Sequence, residues 1–336
     1  MANPRHDEAI QVLLSAFLVA GLFLVLERTA RLFLPAGAAF VTSLSFVLGT
    51  SITSTFGTAL WSHGPAALLS AVAFLHLASA RDQERDPSGF LLGALLGAAF
   101  LCRPTAALPA VLVFGFLLAR HRREALRFAL AGGAAVALLV AGSLAFLGIP
   151  LPSYYLPRSW PVNTRPLVGV LGVLVSPGRG LFAFSPFLLV GLSGWASRRL
   201  RHDPLYLLAS AWAALHVAVV SRHADWWGGW SYGPRLLSDS LPAWLLLVVL
   251  SAAWIGERIQ APLPRRALAA LGAATVLFSV GVHSVQGLFN RATVAWNDRP
   301  NVYDAPREKL FDATNPQFLA TWERNRRATQ RYSARR

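Results

Sequence analysis

Long apolar runs recur along the chain at the spacing of membrane crossings. A bilayer core about 30 Å thick needs roughly 20 apolar residues per helical crossing. Ten segments come near that measure: 9–26, 36–57, 65–80, 89–101, 105–119, 128–148, one within 167–196, 205–221, 236–255 and 267–286. Segments 89–101 and 105–119 are short and are parted only by Cys102-Arg103-Pro104. Arg81 and Arg85 precede this pair, and Arg120, Arg122, Arg123 and Arg127 follow it. Flanks of the same charge on both sides predict two short antiparallel helices, not one long kinked helix. The stretch 167–196 is too long for one straight span, and Ser176-Pro177-Gly178-Arg179-Gly180 breaks it. Its first part reads as a half-helix dipping into the membrane, with a full crossing from about Leu181. Broken backbone at that depth persists only where protein or a wet cavity satisfies it, so a cavity is expected beside the break. The predicted fold class is all-α: a polytopic transmembrane helix bundle of about ten crossings, with a re-entrant or broken helix near 167–181.

Charge orients this bundle. One alternating set of loops holds fourteen arginines: Arg28, Arg31, Arg81, Arg85, Arg120, Arg122, Arg123, Arg127, Arg198, Arg199, Arg201, Arg258, Arg265 and Arg266. The opposite set holds seven: Arg5, Arg103, Arg158, Arg165, Arg179, Arg222 and Arg235. The positive-inside rule makes the first set cytoplasmic. Seven of the eleven tryptophans fall on the other side, a share that suggests a site as well as an interfacial belt. Residues 1–286 are thus the transmembrane helical domain, and 287–336 a polar C-terminal tail expected outside, although its ten basic residues run against the rule. The same count puts the N-terminus outside. The expected location is the cytoplasmic (inner) membrane, multi-pass, with the site on the extracytoplasmic side.

Composition supports lipid as the main solvent. Only 14% of residues are charged, against about 25% in soluble domains. The net charge of +15 would suit nucleic acid, but the arginines cluster between apolar segments, so no nucleic-acid partner is expected. Cys102 is the only cysteine, which excludes an intrachain disulfide and a thiolate metal site. No cleavable signal peptide is evident, because the acidic pair Asp7-Glu8 precedes the first apolar run and arginines follow it.

Four polar motifs fall on the outer face: Trp61-Ser62-His63-Gly64-Pro65, Arg103-Pro104-Thr105, Ser176-Pro177-Gly178-Arg179-Gly180, and the run from Asp225 through Trp226-Trp227-Gly228-Gly229-Trp230-Ser231-Tyr232-Gly233-Pro234 to Arg235. Arginine at the edge of hydrocarbon is costly, and a phosphate or carboxylate matches its fork with two parallel hydrogen bonds. Arg103, Arg179 and Arg235 are therefore candidate phosphate ligands; the plainer reading is that each caps a helix end or snorkels. His63 opens a helix and is a candidate ligand for a phosphate or sugar hydroxyl, or else an interfacial histidine with its own hydrogen bond. Trp226, Trp227 and Tyr232 are candidates for stacking on a sugar ring, or else part of an aromatic belt. Asp225 is a candidate base or hydroxyl ligand, or else an ion-pair partner of Arg222 or Arg235. Asp239, one turn beyond Arg235, reads as that arginine's partner at i,i+4. No histidine or carboxylate stands at metal-ligand spacing from His63, so no metal and no cofactor is expected. P-loop, Gly-x-Gly-x-x-Gly, Gly-x-Ser-x-Gly and His-Glu-x-x-His signatures are absent, which argues against an ATP-driven pump.

The four motifs in this order resemble bacterial membrane glycosyltransferases of the GT-C class, relatives of the protein mannosyltransferases and aminoarabinose transferases. Ser185-Pro186 and the tail around Trp296-Asn297 and 306–312 add to the likeness. The resemblance implies inverting transfer of a sugar from a polyprenyl-phosphate carrier to an acceptor of unspecified kind. The arginines would hold the donor phosphate and an acidic residue would activate the acceptor hydroxyl. The lipid-linked sugar is then a substrate, and the bilayer the other partner. GT-C enzymes start with a helix and a large outer loop that carries the catalytic aspartate. This chain reads as starting after that loop, and is expected to be a shortened member of the class or an inactive form. Two rival readings stand beside the transferase: a non-catalytic lipid-carrier binder or flippase, and a secondary transporter of an anionic solute. A transporter favours inverted repeats and a midplane site, and neither is visible.

Overall fold

The computed structural model describes residues 4–156, 160–259, 261–304 and 306–334. Arg158, counted above with the outer arginines, lies outside the described residues. Among them the chain is helical, with no strand and only isolated bridges at Val162–His223 and Asp298–Asn301. The α-helices up to Val280 are α1 (Pro4–Arg31), α2 (Ala36–Leu48), α3 (His63–Asp82), α4 (Gly89–Cys102), α5 (Ala107–Arg120), α6 (Arg122–Leu147), α7 (Pro166–Val175), α8 (Leu181–Phe184), α9 (Pro204–Arg222), α10 (Leu241–Arg258) and α11 (Pro262–Val280).

Among the described residues six stretches are long and apolar enough to cross a membrane: Asp7–Arg31, His63–Asp82, Arg122–Leu147, Pro204–Arg222, Arg235–Arg258 and Pro262–Phe289. The shorter apolar segments Ala36–Leu48, Gly89–Cys102, Pro104–Arg120 and Pro186–Ala196 lie among them. The arginine-rich loops gather at one end. There Arg81 pairs with Asp203 at 2.8 Å, Arg199 with Glu257 at 3.3 Å, and Glu124 accepts from the Gly89 N–H at 2.7 Å. The last contact joins the start of α4 to the residues just after α5, so the two short helices form an antiparallel hairpin, as their flanks predicted.

Small residues set how tightly α4 packs on α6. Gly89, Gly93 and Gly97 recur every fourth residue along one face of α4, and α6 lies against that face. A Cβ on Gly89 would stand 1.8 Å from the Glu124 carbonyl oxygen, and one on Gly93 2.3 Å from that of Phe128. Backbones this close are the usual consequence of a small-residue stripe between membrane helices. The 14 residues of α4 rise about 21 Å, short of the roughly 30 Å hydrocarbon core. The Arg103-Pro104-Thr105 corner is thereby sunk below the end reached by the 26-residue α6.

The break after α7 stands where expected. Asn163 before this helix donates its N–H to Arg222 O at 2.7 Å, and Gly178 after it donates to Leu310 O at 3.0 Å. Both ends of α7 are tied to the end of the bundle opposite the arginine-rich loops, as a re-entrant segment requires. The chain then returns through α8 and an 11-residue 3-10 helix, Pro186–Ala196. A 3-10 helix rises about 2.0 Å per residue, so these residues reach about 22 Å, further than an α-helix of equal length. Residues from Gly287 onward fold back on the same end as the break. Trp296, Leu310, Gln317 and Asn325 there are fully buried, so this polar segment packs as a cap on the bundle.

Candidate functional site

A cavity of about 560 Å³ opens at this end of the bundle. It lies between the hairpin corner, the end of α9 and the 225–235 loop, and Arg103, Thr105, Asp225, Gly228, Gly229 and Arg235 all line it. Tyr154, Trp160, His223, Trp230 and Tyr303 supply its aromatic walls. The loop needs its glycines: Gly228, Gly229 and Gly233 have φ of +79°, +66° and +58°, values that strain a residue with a Cβ.

Asp239 organises the cavity from behind. Its carboxylate is buried and accepts from His63 Nδ1 at 2.5 Å, Arg103 Nε at 2.9 Å and Thr105 Oγ1 at 2.6 Å. The start of α3, the hairpin corner and the start of the α10 stretch therefore meet on one carboxylate. This corrects the expected pairing of Asp239 with Arg235. Residues Arg235–Ser240 form a 3-10 helix, in which i and i+3 eclipse and i+4 turns away. His63 is 3% exposed and spends Nδ1 on Asp239, so it supports Arg103 from behind and does not line the cavity. Arg103 also donates through Nη1 to Ser62 Oγ at 3.2 Å.

Arg235 is held differently. Its Nη2 donates to Gly228 O at 2.7 Å, and its guanidinium carbon lies 4.7 Å from the Trp61 ring centroid. Its Nε is buried without a hydrogen-bond partner, and no carboxylate pairs with it among the described residues. Asp225, facing the same cavity, likewise pairs with neither Arg222 nor Arg235 among those residues.

Arg179 does not join this pair. It is 1% exposed, and neutral acceptors take all five of its N–H groups. Nε donates to Trp227 O at 2.9 Å, and Nη1 to Gly178 O at 2.8 Å and to Gln317 Oε1. Nη2 donates to Gly229 O at 3.2 Å and to Asn297 Oδ1 at 2.6 Å. The bidentate phosphate role read for it has no free donor here. It fastens the broken helix to the glycine loop and to the C-terminal cap.

The aromatic candidates also divide. Trp226 is buried in the gap left by Gly172, whose added Cβ would stand 2.1 Å from the indole. Trp227 is buried against Tyr303, with centroids 5.8 Å apart. The Tyr232 hydroxyl donates to Val282 O at 2.7 Å and its ring meets Phe184; burial raises its pKa. None of the three lines the cavity. Of the rings that do, Trp230 belongs to the aromatic run that sequence read as a sugar platform, while Tyr154 and Tyr303 had no such role, although Tyr154, Tyr155 and Trp160 clustered in a proline-rich loop were a usable signal. In the cap, Lys309 Nζ donates to the carbonyls of Trp296 and Pro300, and burial pushes its pKa down to about 7. Among the described residues no group of three His, Cys, Asp or Glu is gathered for a metal ion.

The family model for dolichyl-phosphate-mannose-protein mannosyltransferases matches residues 5–146. Over that stretch, which is less than half of the chain, the protein is similar to a family of membrane glycosyltransferases. The matched part carries His63 and Arg103 but neither Arg179, Asp225 nor Arg235. No curated protein matches the chain, and no solved structure does.

Proposed function

We propose that the protein transfers a sugar from a polyprenyl-phosphate carrier to an acceptor hydroxyl, at the outer face of the cytoplasmic membrane. One observation carries this reading: Arg235 lines the cavity beside Arg103 with no partner acid among the described residues. A partly desolvated guanidinium without a counter-charge calls for an anion, and phosphate suits its fork. Arg103 is held by Asp239, which neutralises it without occupying every donor. The sugar sits among the aromatic walls. The acceptor oxygen attacks the anomeric carbon, the bond from that carbon to the phosphate oxygen breaks with its electron pair going to phosphate, and the hydroxyl proton passes to the Asp225 carboxylate. The arginines stabilise the charge that grows on the leaving phosphate, the electrostatic help that counts most in such transfers.

The test is turnover by the full chain in lipid nanodiscs, supplied with labelled polyprenyl-phosphate sugar. The expected result is release of the lipid phosphate, with loss of release in Asp225→Asn. Donor binding without release selects the carrier-binder or flippase reading. Transmembrane movement of a small anion in sealed proteoliposomes, with neither donor binding nor release, selects the transporter.

A further inference from the structure

The cavity wall built by the ends of two loops bears on the acceptor, given the transferase reading just proposed. Residues 160–163 and 222–225 build this wall and are bonded to each other. Asn163 N–H donates to Arg222 O and Ala224 N–H to Pro161 O, each at 2.7 Å, and Val162 pairs antiparallel with His223. The N–H of Asp225 donates to His223 Nδ1 at 3.0 Å. A backbone N–H can only donate, so Nδ1 is bare and the neutral ring carries its proton on Nε2. Nε2–H has no partner among the described residues, and His223 lines the cavity. Trp160 stands edge-on to that imidazole, at 6.1 Å and 71°. Its own N–H is taken by Tyr154 O at 3.0 Å, which leaves the indole an apolar surface. Tyr154 stands on the same wall.

We infer that this wall is the acceptor subsite and that it takes the hydroxyl of a sugar ring. A pyranose has an apolar C–H face and a hydroxyl edge. Trp160 and Tyr154 suit the face, Asp225 accepts from the reacting hydroxyl, and His223 donates to a neighbouring oxygen through Nε2–H. A peptide acceptor is usually gripped through its backbone by an unpaired edge. Here the backbone groups of Pro161, Asn163, Arg222 and Ala224 that face each other are bonded to one another, and the residues of this wall that line the cavity are the ring- and acid-bearing Trp160, His223 and Asp225. His223 is thus a positioning and specificity residue for the acceptor, and its fixed tautomer makes it a donor and not a base.

The experiment uses the full chain in nanodiscs with labelled polyprenyl-phosphate hexose, offered an oligosaccharide, a Ser/Thr-rich peptide, or neither. Donor affinity is measured separately by competition. Label is expected on the oligosaccharide. His223→Ala should raise the saccharide KM by roughly three- to tenfold, the size of one lost hydrogen bond, with donor affinity unchanged. His223→Gln, whose amide nitrogen stands near the Nε2 position, should recover most of that loss. Trp160→Ala, on a loop outside the helix packing, should raise the same KM if the histidine variants fail to fold. Label on the peptide alone overturns the inference, as does a saccharide KM indifferent to both positions. A donor that binds but is never transferred overturns it while leaving a carrier-binding site. A donor that does not bind at all removes the transferase reading too.

Discussion

Arg179 and Arg235 both stand where helices are interrupted at one end of the bundle, and they hold their charges in opposite ways. Arg179 gives every donor to a neutral oxygen, three from backbone carbonyls and two from the side chains of Gln317 and Asn297. Arg235 gives one N–H to Gly228 O, lies over Trp61, and lines the cavity with no acid paired to it among the described residues. A caged guanidinium is part of the scaffold. An under-satisfied one beside open space is a place for an anion. The same residue type thus divides into structure and recognition by what its donors meet, which spacing along the chain does not record.

The largest way to break this comparison is Arg179→Ala. It leaves the Trp227 and Gly178 carbonyls and the Asn297 amide oxygen buried without a donor, while Gly229 O keeps the Ser231 N–H and Gln317 Oε1 keeps the Gly233 N–H, and orphaned groups cost about 1–3 kcal/mol each. The expected loss is about 4 kcal/mol or more, in the range reserved for removed networks. Tryptophan-fluorescence melting in detergent measures it. Arg179→Lys should restore little, because three donors on a point charge cannot fill five fixed positions. Melting that is unchanged in both variants would refute the cage.

Arg235→Ala should act on binding and not on folding. Charge-assisted hydrogen bonds contribute about 1.5–3 kcal/mol, so donor affinity should fall roughly tenfold to a hundredfold. Melting should move by no more than about 1 kcal/mol, for one lost carbonyl bond. Arg235→Lys keeps the charge without the fork and should recover part of the affinity. The contrast collapses if Arg235→Ala unfolds the chain as readily as the Arg179 change, or leaves donor affinity untouched.

How much of this was legible without coordinates follows the range of each interaction. Crossings, the antiparallel hairpin and the break at 176–180 are local or depend on the charge of flanking loops, and hydropathy and arginine position carry them. The gathering of four motifs at one end follows from the same alternation. Partners far apart in sequence were beyond reach. Asp239 meets His63 and Arg103 from 176 and 136 residues away, and a local i,i+4 rule pointed it to Arg235 because the 3-10 turn there leaves no mark in the residue pattern. Trp226 read as a stacking platform for the same reason. The glycine that buries it, Gly172, belongs to another helix.

The smallest expected effect tests the strip of backbone that the two arginines share. Gly229 gives its carbonyl to Arg179 at 3.2 Å and lines the cavity beside Arg235. Its φ of +66° costs an alanine roughly 1–2 kcal/mol. An added Cβ would stand 2.7 Å from the Tyr303 hydroxyl oxygen, the far end of a half-exposed side chain that can swing into the cavity. Gly229→Ala should therefore lower melting by only about 1–2 kcal/mol and leave the Arg179 bonds in place. The displaced Tyr303 ring narrows the cavity, so the donor KM should rise severalfold while the folded fraction stays near that of the parent. If the stability loss instead matches Arg179→Ala, the loop and the cage act as one unit, and the division between scaffold and recognition has to be drawn on the cavity side of Gly229.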